Sequence, residues 1–140
     1  MSRRRFEQFE HTADTGLRVY GSDLRDLLLN AADGMSDLMF DVSKIRPRQE
    51  REVVVEEANA EELLVGWLQW IIILLDSEQF LCREAEISEL TDTRLRGVFR
   101  GEPLDPDRHE VYHAVKAVTY HELKIRGAED GLMVEIVLDV

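Results

Sequence analysis

Asn59-Ala60-Glu61-Glu62-Leu63-Leu64-Val65-Gly66-Trp67-Leu68-Gln69-Trp70-Ile71-Ile72-Ile73-Leu74-Leu75-Asp76 reads as a helix that is apolar on nearly all sides. Asn59 supplies the N-cap, and Glu62, three residues on, is its capping-box partner. With almost no polar face, such a helix must be covered on more than one side. It is either the central helix of the fold or part of a subunit interface. The run from Leu63 to Leu75 is too short to span a bilayer. Gly66 costs the helix roughly 1 kcal/mol against Ala, which marks it as a point of close approach by a neighbouring element. Trp67 and Trp70 are i,i+3 neighbours, with core packing the first reading for both and partner binding the second.

Working outward, Glu52 to Glu56 reads as a strand, preceded by a charged loop from Lys44 to Arg51. Before that loop, Leu24, Leu27, Leu28, Ala31, Met35, Leu38 and Met39 recur at helical steps, giving one amphipathic face to about Phe40. Ser22 or Asp23 caps this helix. Phe6 to Glu10 and Leu17 to Gly21 are short strands. After Phe80 the pattern turns to strands: Glu84–Ile87 and Arg94–Phe99 as a hairpin turning near Thr91 to Thr93, then Val115–Tyr120, Leu123–Arg126 and Leu132–Leu138. Gly101 to Glu110 is a loop, and Gly127 to Gly131 a turn. Short turns between neighbouring strands favour antiparallel pairing. The fold class is therefore α+β, two helices packed on a mostly antiparallel β-sheet, as a single layered domain over residues 1–140.

The composition limits the function. The net charge is −12, spread evenly: residues 1–70 carry 9 Lys and Arg against 14 Asp and Glu, and residues 71–140 carry 8 against 15. Nonspecific nucleic-acid binding needs a basic surface, so this chain does not grip RNA by itself, although an acidic protein docks readily onto a basic partner. Arg3 to Arg5 read as a solubilising N-terminus. The one cysteine, Cys82, excludes a disulfide framework within the chain and points to a reducing compartment. It sits in an apolar segment and reads as packing. Without a signal peptide, a cytoplasmic location is expected.

Two acidic stretches stand out. His11-Thr12-Ala13-Asp14-Thr15-Gly16 lies between the first two strands, and Gly16 allows a positive φ or a close backbone approach. The chain ends at Leu138-Asp139-Val140, directly out of an apolar run. Either Asp14 caps a turn and Asp139 is solvated, or the fold gathers Asp14, Asp139 and the terminal carboxylate into one corner that needs a cation or a proton. Such hard oxygen ligands suit Ca²⁺ or Mg²⁺ before Zn²⁺. Asp105-Pro106-Asp107 lacks the spacing of an EF-hand and reads as a polar loop. His11, His109, His113 and His121 are scattered, and no Ser/His/Asp or Cys/His order follows from their spacing. Lys116 lies either on the solvent face of its strand or against an anionic group. Both glycine-rich phosphate-loop patterns are absent.

Phe9-Glu10-His11-Thr12-Ala13-Asp14-Thr15-Gly16, Gly101-Glu102-Pro103-Leu104-Asp105, Lys116-Ala117-Val118-Thr119-Tyr120-His121-Glu122-Leu123 and Val137-Leu138-Asp139-Val140, in that order, resemble archease. That family comprises small activators of the RtcB-type RNA-splicing ligase. The likeness extends over essentially the whole chain. Thr15 departs mildly from the aliphatic residue expected there. The resemblance implies an accessory protein, not an enzyme. It would promote guanylylation of the ligase histidine, allow multiple turnover in tRNA splicing and broaden nucleotide use. It implies a divalent metal, Ca²⁺ ahead of Mg²⁺ or Mn²⁺, on Asp14, Asp139 and the main-chain oxygens of Val140, with Lys116 functional beside it. His11 and His121 are weaker candidates. The implied partner is the ligase, with RNA met only through it and no membrane.

Two other classes compete. A chaperone-like adaptor would hold a client with the apolar helix and its tryptophans. A metal-dependent hydrolase would use the same acidic corner with His11 or His121 as base.

Overall fold

The computed structural model describes residues 5–11, 14–120 and 122–140, without the side chains of Glu10, His11 and Asp14. The chain runs β1 (Phe6–His11), β2 (Asp14–Gly21), α1 (Leu24–Met39), a 3-10 turn (Val42–Lys44), β3 (Gln49–Glu56), α2 (Ala60–Glu78), β4 (Phe80–Leu90), β5 (Arg94–Pro103), β6 (Ala117–Val118), β7 (Arg126–Ala128) and β8 (Gly131–Asp139). Every pairing among the described strands is antiparallel. The α+β class stands, with the strands divided between two sheets. One has the order β1-β2-β8-β6, with β7 also on β8; the other is β3-β5-β4.

Both helices begin where their caps predict. Asp23 accepts the Asp26 N–H at 2.8 Å, and Asn59 accepts the Glu62 N–H at 2.9 Å. α2 is the central helix: it packs on α1, on β3, β4 and β5 of one sheet and on β6 of the other. Among its apolar side chains only Ile73 is exposed. Trp67 is fully buried, stacks on Phe99 with ring centroids 4.2 Å apart, and donates its indole N–H to Leu28 O of α1 at 2.9 Å. That bond satisfies the one polar atom of a core indole while tying the helices together. Gly66 is the expected close approach: a Cβ there would lie 2.7 Å from Val55 Cγ1 of β3. Cys82 is buried, as expected of a packing residue. No described helix is long and apolar enough to cross a membrane.

The strand boundaries differ from expectation: β2 starts at Asp14 and not Leu17, β3 starts at Gln49 within the expected Lys44–Arg51 loop, and the larger differences lie in the second half. The stretch Gly101–Glu110 is not all loop, because β5 continues through Pro103. Val115–Tyr120 shortens to Ala117–Val118. Leu123–Arg126 is not a strand; pairing starts at Arg126, where β7 forms a hairpin with β8. Leu123 and Ile125 pack against the core, but the Ile125 N–H is taken by Glu61 Oε2 at 3.0 Å, on the first turn of α2. A backbone donor satisfied by a side chain has no need of a neighbouring strand.

Candidate functional site

The sheet register decides which acids meet. β1 pairs with β2 from Phe6↔Val19 down to His11↔Asp14, and β2 pairs with β8 up to Thr15↔Leu138. The residue before Thr15 is Asp14 and the residue after Leu138 is Asp139, so both acids lie at the same end of the β2–β8 ladder. On the other side of β8, Ala117 pairs with Asp139 and the Lys116 N–H donates to Asp139 O at 2.7 Å. Strands from three distant parts of the sequence thus bring the backbones of Asp14, Lys116, Asp139 and Val140 to one end of one sheet. Lys116, Asp139 and Val140 are exposed.

The side chains of Asp14 and His11, and all of His121, lie outside the described residues. Among the described residues no three His, Cys, Asp or Glu side chains converge as a metal cluster. What the described corner offers is one exposed carboxylate, Asp139, with main-chain oxygens beside it. These are hard donors of the kind Ca²⁺ and Mg²⁺ take.

The sheet face next to this corner is shaped by Gly16. A Cβ there would lie 2.3 Å from the Phe9 ring, so Gly16 provides close approach: Phe9 lies across β2. The Arg18 guanidinium sits 5.2 Å from the same ring. Arg18 also pairs with Glu7 at 2.5 Å and Glu135 at 3.5 Å, and the Tyr20 hydroxyl donates to Glu7 at 3.2 Å. The Glu7 hydrogen bond raises the Arg18 pKa further, ahead of the opposing effect of burial. Beside them is a pocket of about 130 Å³, bounded by Phe9, Lys124, Arg126, Met133, Glu135 and Val137 among others.

Sequence reasoning passed over Glu102. It has no exposed surface, and its carboxylate accepts five donors: Arg46 N–H at 2.7 Å, Arg48 Nε at 3.0 Å, two Arg108 nitrogens at 2.7 and 2.9 Å, and His109 Nε2 at 2.9 Å. His109 Nδ1 accepts the Asp105 N–H at 2.8 Å, so the ring proton sits on Nε2 and points at Glu102. The Arg108 bonds, ahead of the opposing effect of burial, hold the Glu102 carboxyl far below its ordinary range. This node ties the segment before β3 to the loop after β5. The same loop continues toward Lys116, with Asp41 N–H on Glu110 O and Tyr112 N–H on Met39 O. No local pattern could reveal it, because its members come from positions 46, 48, 102, 108 and 109. Asp105 and Asp107 form the expected polar turn, with Asp107 N–H on Asp105 Oδ1 at 3.1 Å.

Comparison with known proteins agrees with this architecture. Residues 6–140 match the model of the Archease protein family (MTH1598/TM1083). Protein archease of Sulfurisphaera tokodaii is 37% identical over 137 residues, covering 97% of this chain and 99% of that one. Protein archease of Thermococcus gammatolerans is 42% identical over 131 residues, covering 91% and 92%. The solution structure of Methanobacterium thermoautotrophicum protein 1598 superposes with a TM-score of 0.80 at 32% identity, covering 96% and 98%. A Thermotoga maritima archease, described as a possible chaperone, has the same fold, with a TM-score of 0.68 at 21% identity and full coverage of both chains. Family model, relatives and superposed fold all span nearly the whole chain, which therefore belongs to the archease family.

Proposed function

We propose that this chain is an accessory activator of an RtcB-type RNA ligase, promoting guanylylation and multiple turnover and broadening nucleotide use, with no catalytic step of its own. The observation that supports this most is the convergence of β2, β6 and β8. It puts the backbones of Asp14, Lys116, Asp139 and Val140 at one exposed end of a sheet. An exposed corner of oxygen donors at the tip of a rigid ladder suits insertion into a partner's site. The ladder sets where the donors stand without ordering them on contact.

In this reading the Asp14 and Asp139 carboxylates and the Val140 main-chain oxygens hold a divalent cation, Ca²⁺ ahead of Mg²⁺ or Mn²⁺. That ion would supply a hard positive charge where the ligase handles triphosphate. Lys116, hydrogen-bonded through its backbone to Asp139, keeps its ammonium exposed for an anionic group at the same tip. The net charge of −12 suits a basic RNA-handling partner and disfavours direct RNA contact. The activity is expected in the cytoplasm, in tRNA splicing.

The experiment is RNA ligation with sub-stoichiometric RtcB-type ligase, GTP and divalent metal, with and without this protein. Conversion of a single-turnover reaction to multiple turnover is expected. Asp14→Ala, Asp139→Ala and Lys116→Ala should each abolish the gain. Unchanged turnover in the two aspartate variants would remove the corner from the mechanism. A C-terminal extension should weaken divalent-metal binding by calorimetry, and an unchanged affinity would remove Val140 from the ligand set.

A further inference from the structure

A second surface shares no residue with the acidic corner. Among the described residues, three of the six exposed large hydrophobic ones, Val54, Ile73 and Tyr120, at 38%, 43% and 59% exposure, line a single groove of about 410 Å³. It is lined by the edge of β3 at Val54 and Val55, by Gly66, Trp70 and Ile73 of α2, and by Tyr120. β3 is an edge strand: β5 pairs with one side, and among the described residues no strand pairs with the other.

The free edge has a definite chemistry. The Glu57 N–H donates to Thr93 O at 3.0 Å, one step past the Glu56↔Arg94 pair. The hydrogen-bonded pairs therefore fall on odd positions of β3, and Glu52, Val54 and Glu56 turn their backbone groups outward. Their side chains share the solvent face, while Val53 and Val55 are buried on the α2 side. On the solvent face three arginines of β5 serve five acids: Arg100 is shared by Glu50 and Glu86, Arg96 by Glu52 and Glu89, and Arg94 pairs with Glu56. Two negative charges are left over, with Glu57 next to them at the rim of the groove.

We propose that the free edge of β3 and the groove beneath α2 take up an extended, protein-borne segment in which Lys or Arg alternates with large aliphatic residues. Added as a strand, it would pair its backbone with Glu52, Val54 and Glu56. Its side chains would alternate between the two faces, one set meeting the glutamate row and the other meeting Trp70, Ile73 and Tyr120. A second copy of this chain is a poor occupant, because it would set glutamates opposite glutamates, and like charges across strands destabilise pairing. A nucleic acid is repelled by the same row. The groove shares no residue with the corner, so this inference stands independently of the ligase reading.

The probe is a blocked (Lys-Val)4 peptide, with (Glu-Val)4 as control, followed by amide hydrogen exchange on the full-length protein. With saturating (Lys-Val)4, exchange at Glu52, Val54 and Glu56 should slow at least tenfold, whereas Val53 and Val55, already paired to β5, should not change. Affinity should fall with added salt. Ile73→Asp alters only an exposed wall, and Val54→Pro removes one outward donor while leaving the ladder intact. Each should weaken binding at least tenfold while the Trp67 indole resonance stays at its folded position. Should Val54→Pro fail to fold, Ile73→Asp decides. Failure of (Lys-Val)4 to protect the even-numbered amides overturns the proposal, as does wild-type affinity in the folded variants or equal binding of (Glu-Val)4. Concentration-dependent protection of those amides in the free protein would assign the edge to a second copy and likewise overturn it.

Discussion

Replacing Glu102 by Gln tests whether a buried charge organises the loop that leads to Lys116. The substitution keeps the shape and removes the charge. A glutamine offers one acceptor oxygen where the carboxylate offered two, and it turns an NH₂ toward donors. Of the five donors, those of Arg48 and Arg108 belong to side chains that are 57% and 29% exposed and can turn to water. The Arg46 N–H bonds directly to the buried carboxylate. The His109 ring is 1% exposed and has nowhere else to send its proton. An orphaned buried donor costs about 1–3 kcal/mol. With two trapped donors the expected loss is about 2–6 kcal/mol. It would be read from urea unfolding as a lower midpoint at unchanged slope. The pH dependence gives a second reading. The folded-state pKa of Glu102 is depressed below its ordinary 4.5, so the unfolded chain binds the proton more readily. The stabilisation is then fully present above about pH 4.5 and is lost as pH falls through the folded value. The gap between wild type and Glu102→Gln should therefore narrow on acidification below pH 4.5. A loss under about 1 kcal/mol at neutral pH, or a gap that widens in acid, would falsify the reasoning.

Three further outcomes follow from the core. Burial pushes the Cys82 thiol pKa well up, so a thiol-specific reagent at pH 8 should leave the native protein unmodified and label it stoichiometrically in urea; rapid native labelling would contradict its placement. Trp67→Phe removes the bond to Leu28 O and part of the stack on Phe99, and should cost about 2–4 kcal/mol in chemical unfolding, with a cost near zero refuting the bridge between helices. Gly101→Ala would set a Cβ 1.8 Å from Leu81 O of the adjacent strand. Because the obstacle is backbone, the loss should reach or exceed the ~1–3 kcal/mol of ordinary overpacking, and a thermal midpoint unchanged from wild type would show that the β4–β5 spacing is wrong.

The two helices, the β4–β5 hairpin and the buried character of Trp67 and Cys82 were legible in the sequence because they rest on local rules. Capping at Asp23 and Asn59 and the apolar spacing of both helices act within a few residues. Gly66 carried its own signal, since a glycine in an otherwise strong helix implies a neighbour too close for a Cβ, here Val55. The strands after Gly101 were less legible. Val115, Leu123 and Ile125 are apolar for packing, and periodicity cannot distinguish a packed side chain from a paired backbone. The missing information was a bond from Ile125 N–H to Glu61, 64 positions away.

For the candidate site the division is similar. Residue types raised Asp14 and Asp139 as a hard-ligand corner beside the alternative of a turn cap and a solvated acid, and left Lys116 open between solvent and an anion; it was the resemblance to archease that implied the metal reading, the Val140 main-chain oxygens and a role for Lys116. Whether those ends coincide depends on register, and register is set by pairings between β2, β6 and β8 that lie more than a hundred residues apart in sequence for β2 and β8. A slip of one residue would send every side chain to the opposite face. The Glu102 node and the free edge of β3 belong wholly to the tertiary structure. A glutamate in a sequence carries no sign of which arginines will surround it, and a strand carries no sign of which of its sides will stay unpaired. Composition, capping and periodicity determine what each segment is, since those act over a few residues. Only the folded chain decides which segments become neighbours, because long-range pairing is selected by the packing of the whole core.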